Sequence, residues 1–216
     1  MEFTWYGQSC FRIKSKGQTV ITDPYSPDIG LKVPRQPASI ITVSHDHSGH
    51  NNVSAIRVGA YVIAGPGEYE VQGIMVLGIA SFHDSSNGQD QGRNTAYRIE
   101  FENLSVCHLG DLGHLPNQEQ TELLTGVDVL LIPVGGRTTL TAAKAAEVVN
   151  LLEPRIVIPM HYKVPGLSLT LDSPKRFLNE LGVEEPEKLD ILNVTRSDLG
   201  EQGADSVRVV LLEPKQ

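Results

Sequence analysis

The first third of the chain carries short runs of β-branched, aromatic and other apolar residues broken by polar ones, the pattern of strands. Phe3 to Tyr6, Cys10 to Ile13 and Thr19 to Thr22 are three such runs, and Lys16-Gly17 marks a turn between the second and third. Pro24 to Pro37 is rich in Pro and Gly and reads as a loop. Ser39-Ile40-Ile41-Thr42-Val43 is mostly β-branched and predicts a buried strand. Tyr61 to Ala64 and Glu70 to Ala80 follow as strands. Thr95 to Phe101 and Leu104 to Leu109 read as a hairpin turning at Glu102-Asn103.

Helical spacing then enters. Pro116 to Leu124 is helix-like and Val127 to Pro133 is a buried strand. Thr141 to Leu152 is alanine-rich, has an apolar period near 3.6 and opens on a threonine, so it predicts the clearest helix. Arg155 to Met160 is another buried strand. Ser173-Pro174 predicts an N-cap and first residue for a helix through Leu181. Leu189 to Val194 and Val207 to Leu212 close the chain as strands. A β-rich start, alternating strands and helices, and more strands at the end predict one α+β domain over residues 1–216.

Composition narrows the function classes. A chain of 216 residues buries enough surface to fold without a disulfide or a metal. The net charge of −8 counts against a sequence-independent grip on nucleic acid or on an anionic membrane. The longest apolar runs have strand length, short of the roughly 20 residues a membrane span needs. The opening MEFTWYGQSCFRIK has no basic segment leading into an apolar one. The expectation is a soluble cytoplasmic protein with a small-molecule substrate and no nucleic-acid or membrane partner. Cys10 and Cys107 both lie in apolar, strand-like contexts and read first as buried thiols in a reducing compartment, with a bridge between them as the alternative.

Three of the seven histidines fall within six residues, in the stretch SHDHSGHN: His45, His47 and His50. His45 and His47 are two apart and face the same way in extended backbone, while Asp46 faces elsewhere. Ser48-Gly49 supplies the turn that His50 needs. The other candidates also follow strands: His83 after Ala80, Asp111 after Leu109-Gly110, His161 after Met160. Four strand ends at one sheet edge can converge on a metal, with loop ligands on rigid supports. Histidine with carboxylate suits Zn²⁺, Mn²⁺ or Fe²⁺.

These motifs, in this order, resemble the metallo-β-lactamase-fold hydrolases over nearly the whole chain. The family signature H-x-H-x-D-H reads here His45-Asp46-His47-Ser48-Gly49-His50. The early aspartate of the family matches Asp23 in Ile21-Thr22-Asp23-Pro24. Ser81-Phe82-His83-Asp84, Leu109-Gly110-Asp111 and Pro159-Met160-His161-Tyr162 match its later motifs. The opening Trp5-Tyr6-Gly7-Gln8-Ser9-Cys10-Phe11 is similar to the subgroup containing L-ascorbate 6-phosphate lactonase, which usually has a histidine where Gln8 stands.

The resemblance implies an αββα sandwich of two mixed sheets flanked by helices, with a two-metal cleft. One ion would take His45, His47 and His83, the other His50 and His161, with the catalytic Asp111 bridging. A metal-bound hydroxide would attack a small ester, lactone or phosphate-bearing substrate. The subgroup also implies a homo-oligomer. Zn²⁺ and Mn²⁺ are the expected metals, as one ion or two.

Gly49 departs from the pattern, because the family has a carboxylate there. The second site is then weak or empty, or another carboxylate completes it, with Glu68 and Asp46 as candidates, or the protein is a degenerate non-hydrolytic binder. Asp23 either orients the histidines or is a plain turn residue before Pro24. His114 either meets substrate or leads into the next helix. His108 reads as structural, since its neighbour Cys107 points to the opposite face. Arg93-Asn94 reads first as the start of a hairpin strand and second as an anion contact.

Overall fold

The computed structural model describes residues 1–199 and 207–215. Lys16 and Gly17 both take positive φ, 46° and 85°, the backbone of a tight two-residue hairpin turn. That turn folds β2 (Phe11–Ser15) onto β3 (Gln18–Thr22), and β1 (Glu2–Trp5) pairs antiparallel on the other side of β2. β4 (Ile40–Thr42) and β5 (Tyr61–Ile63) continue this sheet in parallel.

The second sheet begins as an antiparallel meander of β6 (Gly67–Val71), β7 (Ile74–Phe82), β8 (Arg93–Phe101) and β9 (Leu104–His108). After α1 (Gln118–Leu124) come β10 (Val129–Pro133), α2 (Ala142–Leu152), β11 (Ile156–Met160) and α3 (Lys175–Glu180). β12 (Glu187–Leu189), β13 (Leu192–Asn193) and β14 (Arg208–Leu212) end the described chain. The sheets run β13-β1-β2-β3-β4-β5 and β12-β14-β11-β10-β9-β8-β7-β6. This is the expected α+β sandwich of two mixed sheets.

Where the sequence runs and the structure differ, local chemistry explains the difference. Glu70 to Ala80 is not one strand, because Gln72-Gly73 makes a second tight turn at φ 53° and 81° and splits it into β6 and β7. Leu189 to Val194 divides between sheets: Leu189 ends β12 beside Leu212, and Leu192 opposes Phe3. The Ser173 cap is replaced by Pro174, which stands at the N-cap of α3 with no side-chain bond. In α1 the helix starts two residues later than read, under a capping box between Asn117 and Gln120.

Strand direction places the cleft. β3 and β4 are parallel, and β1, antiparallel to β2, runs with them. In the other sheet β9, β10 and β11 are parallel, and β7, two antiparallel steps from β9, shares their direction. The carboxyl ends of these strands lead into residues 6–8, 23, 44–50, 83, 109–111 and 161. Phe3, Trp5, Phe11, Ile13, Ile99, Val129 and Ile158 fill the buried interior. α2 turns Ala145, Val148, Val149 and Leu152 onto the protein and packs on β10.

One tyrosine ties the layers beside the cleft. Tyr97 of β8 is fully buried and donates its hydroxyl to Val43 O at 2.7 Å, with Ile63 O at 3.2 Å. The same oxygen accepts the Gly65 N–H at 2.9 Å. Tyr97→Phe should therefore leave main-chain groups without partners and cost about 1–3 kcal/mol. Urea denaturation measures this; an unchanged midpoint would show that the bonds contribute nothing net.

Candidate metal centre

The histidines leave three strand ends, His45, His47 and His50 after β4, His83 after β7 and His161 after β11, and in His45, His50 and His83 the Nδ1 nitrogen is already held. Asp23 has φ 38° just after β3, and this left-handed kink turns its carboxylate under the histidine loop. Its Oδ1 accepts the Ser44 N–H at 2.7 Å and its Oδ2 accepts the Ser44 hydroxyl at 2.6 Å. His50 Nδ1 lies 2.9 Å from the same Oδ2. His45 Nδ1 lies 2.9 Å from Ser44 Oγ, whose proton is committed to Asp23, so Nδ1–H is the donor. His83 Nδ1 donates to Thr138 O at 3.0 Å. For His45, His50 and His83 the partner at Nδ1 turns Nε2 to the cleft.

Those Nε2 atoms surround one oxygen. Asp111 Oδ2 lies 3.0 Å from His161 Nε2, 3.1 Å from His50, 3.2 Å from His83 and 3.9 Å from His45. Asp111 itself is only 2% exposed. Its main-chain N–H donates to Asn94 Oδ1 at 3.0 Å, and the Ser9 hydroxyl reaches Oδ1 at 3.4 Å. Gly110, at φ 57°, makes this packing possible: a Cβ there would fall 2.4 Å from Asn94 Oδ1 and 2.6 Å from Ser44 Cβ.

The charges are strongly coupled. Burial opposes ionisation of Asp111, but the His161 and His50 imidazoles hold its carboxyl well below the usual range. Burial also opposes charge on His50, yet Asp111 and Asp23 on its two sides raise it to about 10. His45 goes the other way, down to about 3, because burial and the neighbouring His50 charge both disfavour its proton. Its neutral Nε2 is buried and has no hydrogen-bond partner.

These residues fit a divalent cation. His45, His47 and His83 offer ligand atoms within 4.8 Å of one another, and so do His45, His50 and Asp111. Tetrahedral ligands about 2.0–2.1 Å from zinc are about 3.3 Å apart, close to the spacings around Asp111 Oδ2. A buried, unpartnered imidazole nitrogen costs about 1–3 kcal/mol, which a cation offsets by using its lone pair.

The remaining expected residues go elsewhere. Glu68 on β6 pairs with Leu77 and lines an exposed groove with Met75, Arg98 and Glu122, away from the histidines. Asp46 is exposed and accepts a hydrogen bond from Asn51. His114 spends both ring nitrogens on main chain, accepting the Phe82 N–H at 3.1 Å and meeting Leu115 O at 2.8 Å. His108 is fully buried, donates to Ser9 O at 2.9 Å and faces away from any thiol chemistry; burial pushes Cys107 up to about 12. Both cysteines are free thiols. Ser44 was not legible as a site residue, and Asn94 was read only with Arg93, as a strand start or an anion contact, and not as the partner of Asp111. A polar side chain buried at a strand end was their one signal.

Two stacked mixed sheets, with a histidine–aspartate cluster at the carboxyl ends of their strands, define a metallo-β-lactamase fold. The family model "Beta-lactamase superfamily domain" matches residues 2–161. A UPF0173 protein of Pyrococcus furiosus is 32% identical over 204 residues, 84% of this chain and 90% of the relative. A protein of Methanopyrus kandleri named a UPF0173 metal-dependent hydrolase is 28% identical over 216 residues, covering 85% of this chain and 94% of its own. The crystal structure of a candidate zinc-dependent hydrolase of the metallo-β-lactamase superfamily from Thermotoga maritima superposes with a TM-score of 0.79. It is 34% identical and covers 98% of this chain and 97% of its own. The chain belongs to the β-lactamase superfamily domain family, and within it to the UPF0173 metal-dependent hydrolases. Among the described residues no helix is long and apolar enough to cross a membrane.

The loop after His83 has its own anchor. Asp84 accepts the Gln91, Gly88, Ser86 and Asp90 N–H groups, and these bonds, Gln91 first, hold its carboxyl down at about 2. A depressed carboxyl stabilises the fold above its unfolded pKa, about 3.9, and loses that contribution as pH falls towards about 2. The stability difference between wild type and Asp84→Asn should be full at neutral pH and shrink below about pH 4. A difference independent of pH over that window would remove the loop-anchor account.

Proposed function

We propose that this protein is a metal-dependent hydrolase that uses one or two Zn²⁺ or Mn²⁺ ions on a small ester, lactone or phosphate-bearing substrate. The observation that supports it most is the convergence of four imidazole Nε2 atoms on Asp111 Oδ2. His45, His47 and His83 form one ligand set and His50 with His161 the other, Asp111 lying between them. Membership of the metal-dependent hydrolase family supports hydrolysis. The Trp5-to-Phe11 segment supports the lactonase-like part of the reading, and the net charge of −8 favours a small substrate over nucleic acid. A cytoplasmic setting matches the two free buried thiols.

A bound divalent cation supplies an acidified water and polarises the substrate oxygen. The chain's own groups hold that chemistry in place. Ser44 fixes the His45 tautomer so that Nε2 carries the lone pair. Asp23 grips His50 and Thr138 O grips His83, which orients both rings and raises their basicity. Asn94 Oδ1 accepts the Asp111 N–H and so anchors the main chain that carries the carboxylate.

The test counts metal and turnover together. Purified protein should carry at least about one ion per chain and hydrolyse a lactone or phosphodiester probe when Zn²⁺ or Mn²⁺ is added. Less than one ion per chain and no turnover with either metal would overturn the reading. Asp23→Ala should lower metal affinity about 10- to 100-fold, as outer partners of metal-bound histidines do.

Metal uptake should also release protons. His50 is held charged up to about 10 in the free protein, and a ligating imidazole must be neutral. Affinity should therefore rise with pH between about 6 and 8, with acidification of a weakly buffered solution on Zn²⁺ addition. Uptake without proton release would mean that His50 is not a ligand.

A further inference from the structure

Gly49 leaves the His50–His161 side of the centre one ligand short, and the structure places another side chain beside it. Gln8 follows β1 into the cleft edge and is 1% exposed. Its main-chain oxygen accepts the His161 N–H and the Trp5 Nε1–H, each at 3.0 Å. Its φ of 53° is left-handed, a conformation that a residue with a β-carbon rarely adopts. Its side-chain Nε2 stands 3.6 Å from where a Cβ on Gly49 would be. Its side-chain oxygen is buried and has no hydrogen-bond partner.

Gln8 therefore carries two costs, a strained backbone and an unpaired buried carbonyl. Both are spent in a tight turn closed by Cys10 N–H to Gly7 O at 3.0 Å. A side chain on residue 49 would lie against the Gln8 amide, in ordinary contact. A half-turn of the terminal amide exchanges its oxygen and nitrogen ends. It presents a neutral oxygen donor where Gly49 has no side chain to offer.

We propose that Gln8 is the ligand that completes the second cation site in place of the carboxylate missing at Gly49. The inference rests on the hydrolase reading above, which supplies the cation. The second site is then His50, His161, Asp111 and an amide oxygen. One carboxylate replaced by an amide leaves the centre one negative charge poorer. Amide and carboxylate oxygens suit Mn²⁺, while the three-histidine set suits Zn²⁺. The two sites should thus differ in metal preference.

The test is metal binding by the full chain, stripped with chelator and titrated with Mn²⁺ or Zn²⁺. Bound ions per chain are counted after equilibrium dialysis, and Mn²⁺–Mn²⁺ coupling is read by electron paramagnetic resonance. Wild type should bind two ions. Gln8→Ala should keep the first and weaken the second at least about 10-fold. Gly49→Asp added to Gln8→Ala should restore the second ion and the spin coupling. Gln8→Asn keeps a residue that tolerates positive φ but shortens the reach, so it carries the test should Gln8→Ala fail to fold. It too should lose the second ion selectively.

A second ion bound equally well by wild type and the Gln8 variants would overturn the inference and leave the hydrolase reading intact. One ion in wild type and one in the variants would do the same. No ion in wild type would overturn the hydrolase reading, and this inference with it.

Discussion

The cleft is organised around one buried carboxylate oxygen. Asp111 Oδ2 sits among four imidazoles at 2% residue exposure, in a place where an isolated anion would not stay ionised. Positive charge must therefore meet it. In the free protein the proton on His50 supplies part of that charge, and a bound cation would take over the role. The same electrostatic demand explains why His50 and His45 are driven in opposite directions. Two neighbouring imidazoles cannot both be charged in so small a buried space.

The sandwich meets this demand by aiming parallel strand ends at one point. Asp23 and His161 leave their strands at positive φ, 38° and 51°, and Gln8 does so at 53°. Left-handed backbone at three residues with side chains is costly, and all three lie at the cleft. The cost is tolerated because each kink is fixed from both sides. Asp23 is bonded to Ser44 and His50, and the His161 N–H is bonded to Gln8 O. The Tyr97 hydroxyl then holds the two layers together beside the site.

Much of this was legible in the sequence, for a physical reason. Candidate ligands for a shared ion should follow rigid elements, so His45, His83, Asp111 and His161 stand out as polar residues after apolar runs, and the structure brings their side chains together. Hairpins marked by Lys16-Gly17 are equally visible. Gln72-Gly73 carries the same left-handed turn, but apolar residues on both sides mask it as one long strand. The outer partners are less legible. Ser44, Asn94 and Thr138 act largely through hydrogen bonds to residues distant in sequence, Asp23, Asp111 and His83, and nothing in their local pattern announces that. Glu68 was a reasonable substitute for the carboxylate absent at Gly49, since it precedes a strand. The strand turns out to be β6, whose Glu68 lines an outward groove. Gln8 occupies the neighbourhood of Gly49 instead, from a turn 41 residues earlier in the chain.

The most direct test of a centre built on Asp111 is anomalous diffraction from crystals grown with Mn²⁺ or Zn²⁺. The account predicts anomalous density beside the Asp111 carboxylate, within the ring of Nε2 atoms from His45, His50, His83 and His161. Metal bound elsewhere on the chain, with Asp111 still enclosed by histidines alone, would contradict it.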